Sequence, residues 1–399
     1  MAEAPDTIGL EPGAPEGLIF NPFDPVTRAD PYAVYRRLRE EDPVHRSPLG
    51  IWILSRYGDI EPILRDARFS NDIRNARSFP LATSSGPEFE QRIERRAKVM
   101  LFVDPPDHTR LRSLVNKAFT PRVVEQLRPR AQEIVDDLLD HAIERGEMDL
   151  IADLSYPLPV IVIAEMLGIP PEDRVLPPDM IDVVERSADA FTEYFERLIA
   201  DRRARPGDDL LSALVAAEQA GDRLSPEELV STCILILVAG HETTMNLIGN
   251  GMLALLRHPD ELARLRADVS LVPSAVEELL RYDGTVQMTG RTAKEDVTVG
   301  GRRIEAGEIS ILLIGSANRD PERFADPERV DVTRKDIKHL AFGAGAHYCL
   351  GAPLARVEAQ IAFTELLRRL PPSLCLATDQ PEWRENIVLR GLKSLPLTW

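Results

Sequence analysis

The sequence has few cysteines and an excess of acidic over basic residues. Its 399 residues include three cysteines, Cys233, Cys349 and Cys375, too few for a disulfide framework. Lysine and arginine number 48 against 65 aspartates and glutamates, which gives a net charge of −17. That charge argues against broad binding to phosphate backbones or anionic lipid. We therefore expect neither a nucleic acid nor a membrane as partner.

Long apolar runs and an early positively charged segment are also lacking. The longest strongly apolar run, CILILVAG from Cys233 to Gly240, is far shorter than the roughly 18 residues that suggest a membrane span. No lysine or arginine precedes Arg28, so we see no secretory signal. We expect a cytoplasmic protein, in which a lone loop cysteine is more often chemical than structural.

Helical periodicity dominates after an N-terminal stretch rich in proline, glycine and aspartate. We expect residues 1–30 to form an extended arm and residues 31–399 a single domain, mainly α with small β-sheets (α+β). Apolar residues three and four apart predict helices in PYAVYRRLREED, PRVVEQLRPRAQEIVDDLLDHAIERG and DDLLSALVAAEQAG. The strand candidates are GIWILSRY, VTVGGRRI and EISILLIG.

One helix has an unusually clear start. Ser225 is suited to cap it, Pro226 to open it and Glu228 to complete a capping box. Nothing breaks the pattern before HPDE, so the helix is predicted to run from Pro226 to Arg257. In its middle, AGHETT combines Gly240 with two threonines that can bond back to carbonyls. A tolerated glycine is the simpler interpretation of these residues, and a kink that leaves a polar notch is the alternative.

The stretch FGAGAHYCLG places Cys349 in a glycine-rich loop. The residues after it predict a helix with Pro353 in its first turn, so the sulfur lies at a helix N-terminus, which favours a thiolate. Gly343, Gly345 and Gly351 allow the backbone to approach the sulfur closely. These features indicate a thiolate that ligates a metal or acts as a nucleophile.

Four rival roles for this loop fit its residues unequally. A dinucleotide-binding GxGxxG pattern fails because Tyr348 stands where it requires glycine. A structural zinc site fails because no second cysteine pairs with Cys349. A cysteine hydrolase with a base from elsewhere in the chain, and an inert buried cysteine, both stay open from the residues alone.

The longer stretch FGAGAHYCLGAPLAR closely resembles the haem-binding signature of the cytochrome P450 family. The resemblance covers essentially the whole chain after the arm. It implies the cytochrome P450 fold, with haem b (iron protoporphyrin IX) between the long central helix and the cysteine loop. Cys349 would be the proximal iron ligand, and Phe342, Gly343, His347 and Gly351 would contact the haem.

Other segments similar to those of the family follow in the expected order. EELLR resembles the Glu-x-x-Arg motif, which implies a buried structural pair of Glu278 and Arg281, completed by Arg329 from FADPER. DPPDHTRLR and TGRTA look like the segments that reach the haem propionates, which need charge-assisted hydrogen bonds. The residues implied for that role are His108, Arg112, Arg291 and His347.

AGHETT matches the acid and alcohol pattern that the family has on the distal side of the haem. The resemblance implies that Glu242 and Thr243 control proton delivery, and that Ala239 and Gly240 leave room beside the haem. Segments expected around the distal face also supply candidate substrate contacts, which are equally well interpreted as ordinary core residues. These are Val238, Ala239, Val286, Met288 and Val388.

The function implied is that of a monooxygenase, an oxidoreductase that inserts one atom of O2 into a hydrophobic small molecule by hydroxylation or epoxidation. The electrons would come from a ferredoxin and its NAD(P)H-dependent reductase, because little sequence follows the signature; we expect a monomer active in secondary metabolism. The alternatives are a peroxide-driven peroxygenase and a non-catalytic haem or ligand-binding protein. The pairing of Glu242 with Thr243 argues against both.

Two further expectations concern surfaces. Basic residues between Thr109 and Arg130 are a candidate docking face for an acidic ferredoxin, and a solvated helix face is an equally simple interpretation. The sequence around Arg174 to Ala200 is shorter than is usual in the family, which indicates either a reduced substrate lid or a flexible segment absent from this sequence. The basic residues are Arg110, Arg112, Lys117, Arg122, Arg128 and Arg130.

Overall fold

Helices dominate the part of the chain that the computed structural model describes, which is residues 20–77, 99–174, 188–219 and 224–399. The expected mainly α architecture with small sheets is confirmed. In chain order the α-helices are α1 (Pro25–Ala29), α2 (Tyr32–Glu41), α3 (Tyr57–Arg65), α4 (Asp107–Val115), α5 (Pro121–Ile143), α6 (Pro157–Met166), α7 (Ala188–Ala204), α8 (Leu210–Gln219), α9 (Pro226–Arg257), α10 (Pro259–Ala267), α11 (Val272–Tyr282), α12 (Ile314–Ala317) and α13 (Ala352–Arg369).

The strands are short and form small sheets at the edges of the helical core. A five-stranded sheet has the order β1-β2-β8-β5-β3, a three-stranded sheet the order β4-β10-β9, and β6 and β7 form a hairpin. Strands β2 and β8 are parallel, and the other pairs are antiparallel. The strands are β1 (Val44–Arg46), β2 (Trp52–Leu54), β3 (Phe69–Ser70), β4 (Glu147–Asp149), β5 (Thr289–Ala293), β6 (Val297–Val299), β7 (Arg302–Ile304), β8 (Ile309–Leu312), β9 (Cys375–Leu376) and β10 (Pro396–Thr398).

The N-terminal stretch is not extended throughout. Residues 1–19 lie outside the described residues, but α1 falls within the predicted arm, so that prediction is wrong for Pro25–Ala29. The Asp24 side chain accepts a hydrogen bond from the Thr27 N–H at 2.8 Å and caps the helix, with Pro25 in its first turn. Local capping therefore forms a helical turn in a stretch whose composition suggested an arm.

Helix α9 is the central element, and its predicted bounds are confirmed. Ser225 and Glu228 form both halves of the capping box, and the helix continues without interruption to Arg257. It packs against α6, α7, α11 and α13. Among the described helices, α9 alone is long and apolar enough to cross a membrane, but 67% of its most apolar window is buried inside the protein. Its apolarity therefore belongs to a core helix.

A buried ion cluster fastens α11 to the segment that precedes the cysteine loop. Glu278 and Arg281 have fully buried side chains and form the predicted pair, with Arg281 Nε 2.8 Å from Glu278 Oε2. The third cation is Arg334, whose Nε donates to the same oxygen at 3.0 Å. The prediction of Arg329 is wrong, because its side chain is 60% exposed and 3.9 Å from Glu261. Arg329 contributes only its carbonyl, which accepts from Arg281.

Candidate active site

The cysteine loop is held in its shape by glycines and by hydrogen bonds. Gly343 and Gly345 have φ of 69° and 70°, a left-handed conformation that other residues rarely adopt. A Cβ on Gly345 would also lie 2.5 Å from the Leu64 carbonyl oxygen at the end of α3. The Cys349 N–H donates to the Phe342 carbonyl at 2.8 Å and closes the loop. Glycine at position 345 is therefore required by both conformation and space.

The Cys349 sulfur lies where the sequence predicts, at the start of α13. It accepts hydrogen bonds from the backbone N–H groups of Gly351 and Ala352. Although the side chain is accessible to solvent, the surrounding protein raises the pKa of its thiol, and these N–H groups and the charges of Arg112 and Arg356 only partly oppose that effect. The helix N-terminus alone thus does not produce the predicted thiolate. A bound metal cation would, because coordination deprotonates a thiol.

The four predicted propionate ligands converge beside the cysteine loop. The rings of His108 and His347 are stacked with their centroids 4.0 Å apart. Arg112 donates to the carbonyls of Ala346 at 3.0 Å and Tyr348 at 2.6 Å, so it braces the loop from α4. Burial lowers the imidazole pKa of both histidines, and the charge of Arg112 on both and of Arg291 on His347 lowers it further.

This cluster has the donor set that an anionic group requires. His108 Nδ1 and His347 Nε2 are buried and have no hydrogen-bond partner in the described part of the chain. Arg291 is 6% exposed, and its hydrogen bonds go to the neutral oxygens of Thr289 and Gly290. Burial lowers the pKa of Arg291 to about 10 and that of His347 to about 3. Carboxylates such as the haem propionates would satisfy these donors and remove the repulsion between them.

The distal candidates lie on the middle of α9. Glu242 is buried, whereas Thr243 is partly exposed and its Oγ1 donates to the Ala239 carbonyl at 3.0 Å, one turn earlier. Val238 and Ala239 also keep accessible surface, as does Leu235, although α9 is otherwise largely buried. Leu235, Val238 and Ala239 form an apolar surface on the same face of α9 as Thr243. The sequence prediction missed Leu235, although its spacing of four residues from Ala239 places it on the same face.

Gly240 has a packing role that the sequence did not predict. Helix α9 continues through this point without a break in its helical backbone. A Cβ on Gly240 would lie 2.9 Å from Cγ1 of Ile163 in α6, so the glycine allows α6 to pack closely against α9. This close packing gives the glycine a structural reason of its own, and the kink with a polar notch stays a prediction.

The remaining substrate candidates separate into two groups. Val286 and Val388 come together, because the Gln287 N–H donates to the Val388 carbonyl at 2.9 Å, and both keep accessible surface. Met288 is 7% exposed and belongs to a hydrophobic cluster with Tyr35. Met288 is therefore a core residue of the N-terminal region, and its prediction as a substrate contact is wrong.

Comparisons with known proteins agree with this geometry. The family model described as Cytochrome P450 matches residues 161–394. The chain is 47% identical to the cytochrome P450 monooxygenase PikC of Streptomyces venezuelae, over 93% of this chain and 91% of that protein. It is 42% identical to the polyketide biosynthesis cytochrome P450 PksS of Bacillus subtilis, over 96% of this chain and 99% of that protein.

Solved structures give the same result. The structure of PksS from Bacillus subtilis matches with a TM-score of 0.86 over 95% of this chain and 99% of that one. P450BioI, solved with an acyl carrier protein carrying hexadec-9Z-enoic acid, matches at 40% identity with a TM-score of 0.85, over 94% of this chain and 99% of that one. The chain belongs to the bacterial cytochrome P450 family and is a haem-thiolate monooxygenase.

Proposed function

We propose that the protein hydroxylates or epoxidises a hydrophobic secondary metabolite, using O2 and two electrons from a ferredoxin and its NAD(P)H-dependent reductase. The observation that carries this proposal is the arrangement of hydrogen-bond donors around the cysteine loop. The Cys349 sulfur with its two backbone N–H groups lies beside a cluster of imidazole and guanidinium groups that form no ion pair within the described part of the chain. That set fits haem b, with Cys349 on the iron and the cluster on the propionates.

The cofactor would supply iron-centred activation of dioxygen, which a thiolate ligand favours. The chain's own residues would then supply orientation and proton control. The Thr243 hydroxyl donates its proton to Ala239, so its oxygen is left as an acceptor on the accessible side of α9. Glu242, the preceding residue, is a buried acid that can hold a proton in the same region. Together they form the acid and alcohol pair of the proposal.

The substrate class is inferred from the apolar face of α9 and from the relatives. Leu235, Val238 and Ala239 offer an apolar surface next to Thr243, and Val286 and Val388 add a second apolar patch. PksS is named for polyketide biosynthesis, and P450BioI was solved with an acyl chain carried by a protein. An apolar natural product is therefore the proposed substrate for this chain. The region of the expected lid reduction, Arg174 to Ala200, includes residues 175–187, which lie outside the described residues, and the first part of α7.

The electron donor would dock near the cysteine loop. Arg110, Arg128 and Arg130 of the candidate face are paired with carboxylates, and Arg112 braces the loop. In the described part of the chain, Lys117 and Arg122 are exposed and have no ion-pair partner. We therefore narrow the docking face to Lys117 and Arg122, which would attract an acidic ferredoxin. The proposal places the enzyme in the cytoplasm as a monomer.

Charge reversal tests this docking face. Arg122→Glu is expected to slow electron transfer from an acidic ferredoxin and to weaken its salt dependence, because steering depends on the local charge. Arg302→Glu on the β6–β7 hairpin is the matched control. Equal rates and salt dependence for Arg122→Glu and the wild type would disprove docking at this face.

The proposed function is tested first by the carbon monoxide difference spectrum of the reduced protein. We expect a thiolate-type Soret band in the wild type and in Cys375→Ser, and its loss in Cys349→His. The control removes an exposed thiol far along the chain from the loop. A well-folded wild-type protein that takes up no haem would refute the proposal. Incubation with candidate apolar substrates, ferredoxin and reductase should then give a product that contains one oxygen atom from O2.

A further inference from the structure

Thr285, which is not among the site residues described above, contacts α9 from the segment that follows α11. Its side chain is buried, with 4% of the residue exposed. Its hydroxyl donates a hydrogen bond to the backbone carbonyl of Thr243 at 3.1 Å. Thr243 carries the hydroxyl that the proposed function places on the distal side. A residue 42 positions later in the chain therefore holds the backbone of the distal alcohol.

This hydrogen bond is an addition to the helix and not a part of it. The Thr243 carbonyl lies inside a continuous helix, where its usual donor is the N–H group four residues later. A carbonyl oxygen has two lone pairs, so it can accept a second hydrogen bond. A hydrogen bond is directional, whereas apolar packing is not. The Thr285 hydroxyl therefore fixes the position of this turn of α9 more closely than packing does.

Two asparagines on the same face of α9 contact the C-terminal loop. Asn246 and Asn250 follow Thr243 by three and seven residues, which is the spacing of one helix face. Asn250 Nδ2 donates to the Arg390 carbonyl at 3.0 Å, and the Asn246 side chain lies directly against the backbone of Gly391. These contacts extend over about 10 Å of the helix at 1.5 Å per residue. They hold the rotation of α9 as well as its position.

The segment that carries Thr285 is itself held in place. The Arg390 N–H donates to the Thr285 carbonyl at 2.7 Å, and the Gln287 N–H donates to the Val388 carbonyl at 2.9 Å, so the two stretches pair in an antiparallel arrangement. The Arg390 side chain donates to the Asp283 carboxylate at 2.7 Å. Because the backbone of Thr285 is fixed and a β-branched side chain has few rotamers, the fold directs its hydroxyl at α9.

The same paired stretches carry two of the candidate substrate contacts. Val286 follows Thr285 directly and forms a bridge with Leu389, and both Val286 and Val388 keep accessible surface. One unit of structure therefore touches α9 at Thr243 and offers an apolar patch to a substrate. The Thr285 hydroxyl links these two features, so it sets the distance between them.

We propose that Thr285 is a positioning residue for the oxidation reaction, whose hydroxyl keeps Thr243 aligned with the substrate that the Val286 and Val388 patch binds. This inference rests on the proposed function, in which Thr243 acts on the distal side. The Thr285 hydroxyl is bonded to the α9 backbone, so its effect reaches the reaction through Thr243. A small displacement of a catalytic group is costly, because reacting groups must be closely aligned.

The balance of the reaction shows how misalignment would be measured. When the reaction is coupled, one substrate RH, one O2, two electrons from the ferredoxin and two protons give ROH and one water. When it is uncoupled, the same O2, electrons and protons give H2O2, and RH is unchanged. The amount of H2O2 released for each O2 consumed therefore reports how well Thr243 is aligned.

Infrared spectroscopy of the reduced, carbon monoxide-bound protein tests the alignment without turnover or a known substrate. Thr285→Val keeps the shape of the side chain and removes the hydroxyl. We expect it to broaden the C–O stretching band about twofold, because Thr243 would then occupy several positions beside the carbon monoxide. Thr285→Ser, which keeps the hydroxyl, should retain the wild-type width. A band of unchanged width in Thr285→Val would overturn the proposal.

Thr232→Val is the matched control for this measurement. Thr232 lies on α9 and is 3% exposed, and its hydroxyl has no hydrogen-bond partner in the described part of the chain. The control therefore also removes one buried hydroxyl, but no contact with Thr243. It should leave the band unchanged, and a broadening equal to that in Thr285→Val would contradict a specific role for Thr285.

A double-mutant cycle separates positioning from general structural support. With ferredoxin, reductase and an apolar substrate that gives product, Thr285→Val should release about threefold more H2O2 per O2 consumed while KM changes little. Thr285→Ser should restore the wild-type ratio. In a Thr243→Ala background, Thr285→Val should change the ratio no further, because the hydroxyl through which it acts is gone. Equal increases in both backgrounds would refute positioning through Thr243. Absence of the thiolate-type spectrum in the wild type would instead refute the proposed function.

Discussion

Two buried glutamates on neighbouring helices, Glu278 on α11 and Glu358 on α13, have opposite surroundings. Glu278 accepts hydrogen bonds from Arg281 at 2.8 Å, from Arg334 at 3.0 Å and from the Asp331 N–H at 2.9 Å. Neither carboxyl oxygen of Glu358 has a hydrogen bond of ordinary geometry in the described part of the chain. The two side chains are about equally inaccessible to solvent, so their partners, not their burial, distinguish them.

The difference shows two ways in which a folded chain accommodates a buried acid. The Glu278 charge is surrounded by cationic and N–H donors, so it acts as a structural anion. Burial raises the pKa of Glu358 to about 8, and the nearby Thr244 hydroxyl opposes that shift. No charged group among the described residues contributes to that shift. The guanidinium of Arg128, on the neighbouring helix α5, is bonded to Glu125 and Gln360 instead. Glu358 is therefore a neutral carboxylic acid at pH 7.

The largest expected effect comes from neutralising each acid in turn. Glu278→Gln should lower the free energy of unfolding by about 3–5 kcal/mol, because it leaves buried guanidinium groups without their anion. Glu358→Gln should raise that free energy by about 2 kcal/mol at pH 6, because glutamine is neutral in both states whereas the wild type releases the Glu358 proton there only on unfolding. Chemical denaturation of the haem-loaded proteins measures both. Equal losses in the two variants would show that Glu358 is ionised and paired.

The next effect is the pH dependence that Glu358 confers. The folded pKa of about 8 lies above the ordinary value of 4.5, so the folded state binds the proton more tightly than the unfolded state. The stabilising contribution is complete below pH 4.5 and falls by about 1.4 kcal/mol per pH unit until pH 8. Wild type minus Glu358→Gln, measured by denaturation between pH 5 and 8, isolates this slope. Parallel pH profiles would contradict a neutral Glu358.

A smaller expected effect is the difference in the free energy of unfolding between variants of the two arginines near Glu278, Arg334 and Arg329. Arg334→Met should lower the free energy of unfolding by about 1–3 kcal/mol, because Arg334 donates directly to the buried carboxylate. Arg329→Met should change it by less than about 0.5 kcal/mol, since that side chain is largely exposed. Thermal unfolding of the two variants makes the comparison. A greater loss in Arg329→Met would restore the assignment made from the sequence.

The smallest effect concerns Thr244. Its hydroxyl is the one group that lowers the pKa of Glu358, so Thr244→Val should raise that pKa further. Infrared difference spectroscopy can follow the carboxylic acid carbonyl band against pH, with Glu358→Gln identifying the band. A band that disappears at lower pH in Thr244→Val would show that the hydroxyl does not stabilise the carboxylate.

What the sequence predicts correctly here is what local geometry determines. A capping box defines the start of α9, and an i, i+3 spacing places Glu278 beside Arg281. Arg334 is not predicted, because its contact with the pair depends on tertiary folding and not on spacing along a helix. Glu358 escapes it because a glutamate within a charged helical segment looks exposed, and only packing against α9 shows that it is buried.

The active site likewise contains residues that the sequence predicts and residues that it does not. Residue type and the family resemblance identify Cys349 and the cluster that includes His108 and His347, and the structure brings them together. The helix N-terminus does not by itself lower the pKa of the Cys349 thiol, so the thiolate depends on the metal that the family resemblance implies. Met288 and Gly240 were assigned to the distal side, but tertiary packing gives each of them another neighbour. Helix spacing along α9 places Leu235 and Asn246, but the family motifs quoted above do not include them.

The close approach of Gly345 to the Leu64 carbonyl has a consequence for how the holoenzyme assembles. The loop is fixed from three sides: by α3 at Gly345, by Arg112 of α4, and by its own closure from Cys349 to Phe342. Contacts within the protein therefore offset the conformational entropy that ordering the loop costs. Haem would meet a sulfur already in place, so its capture would have little ordering to oppose it, and the apoprotein would be a receptor awaiting its cofactor.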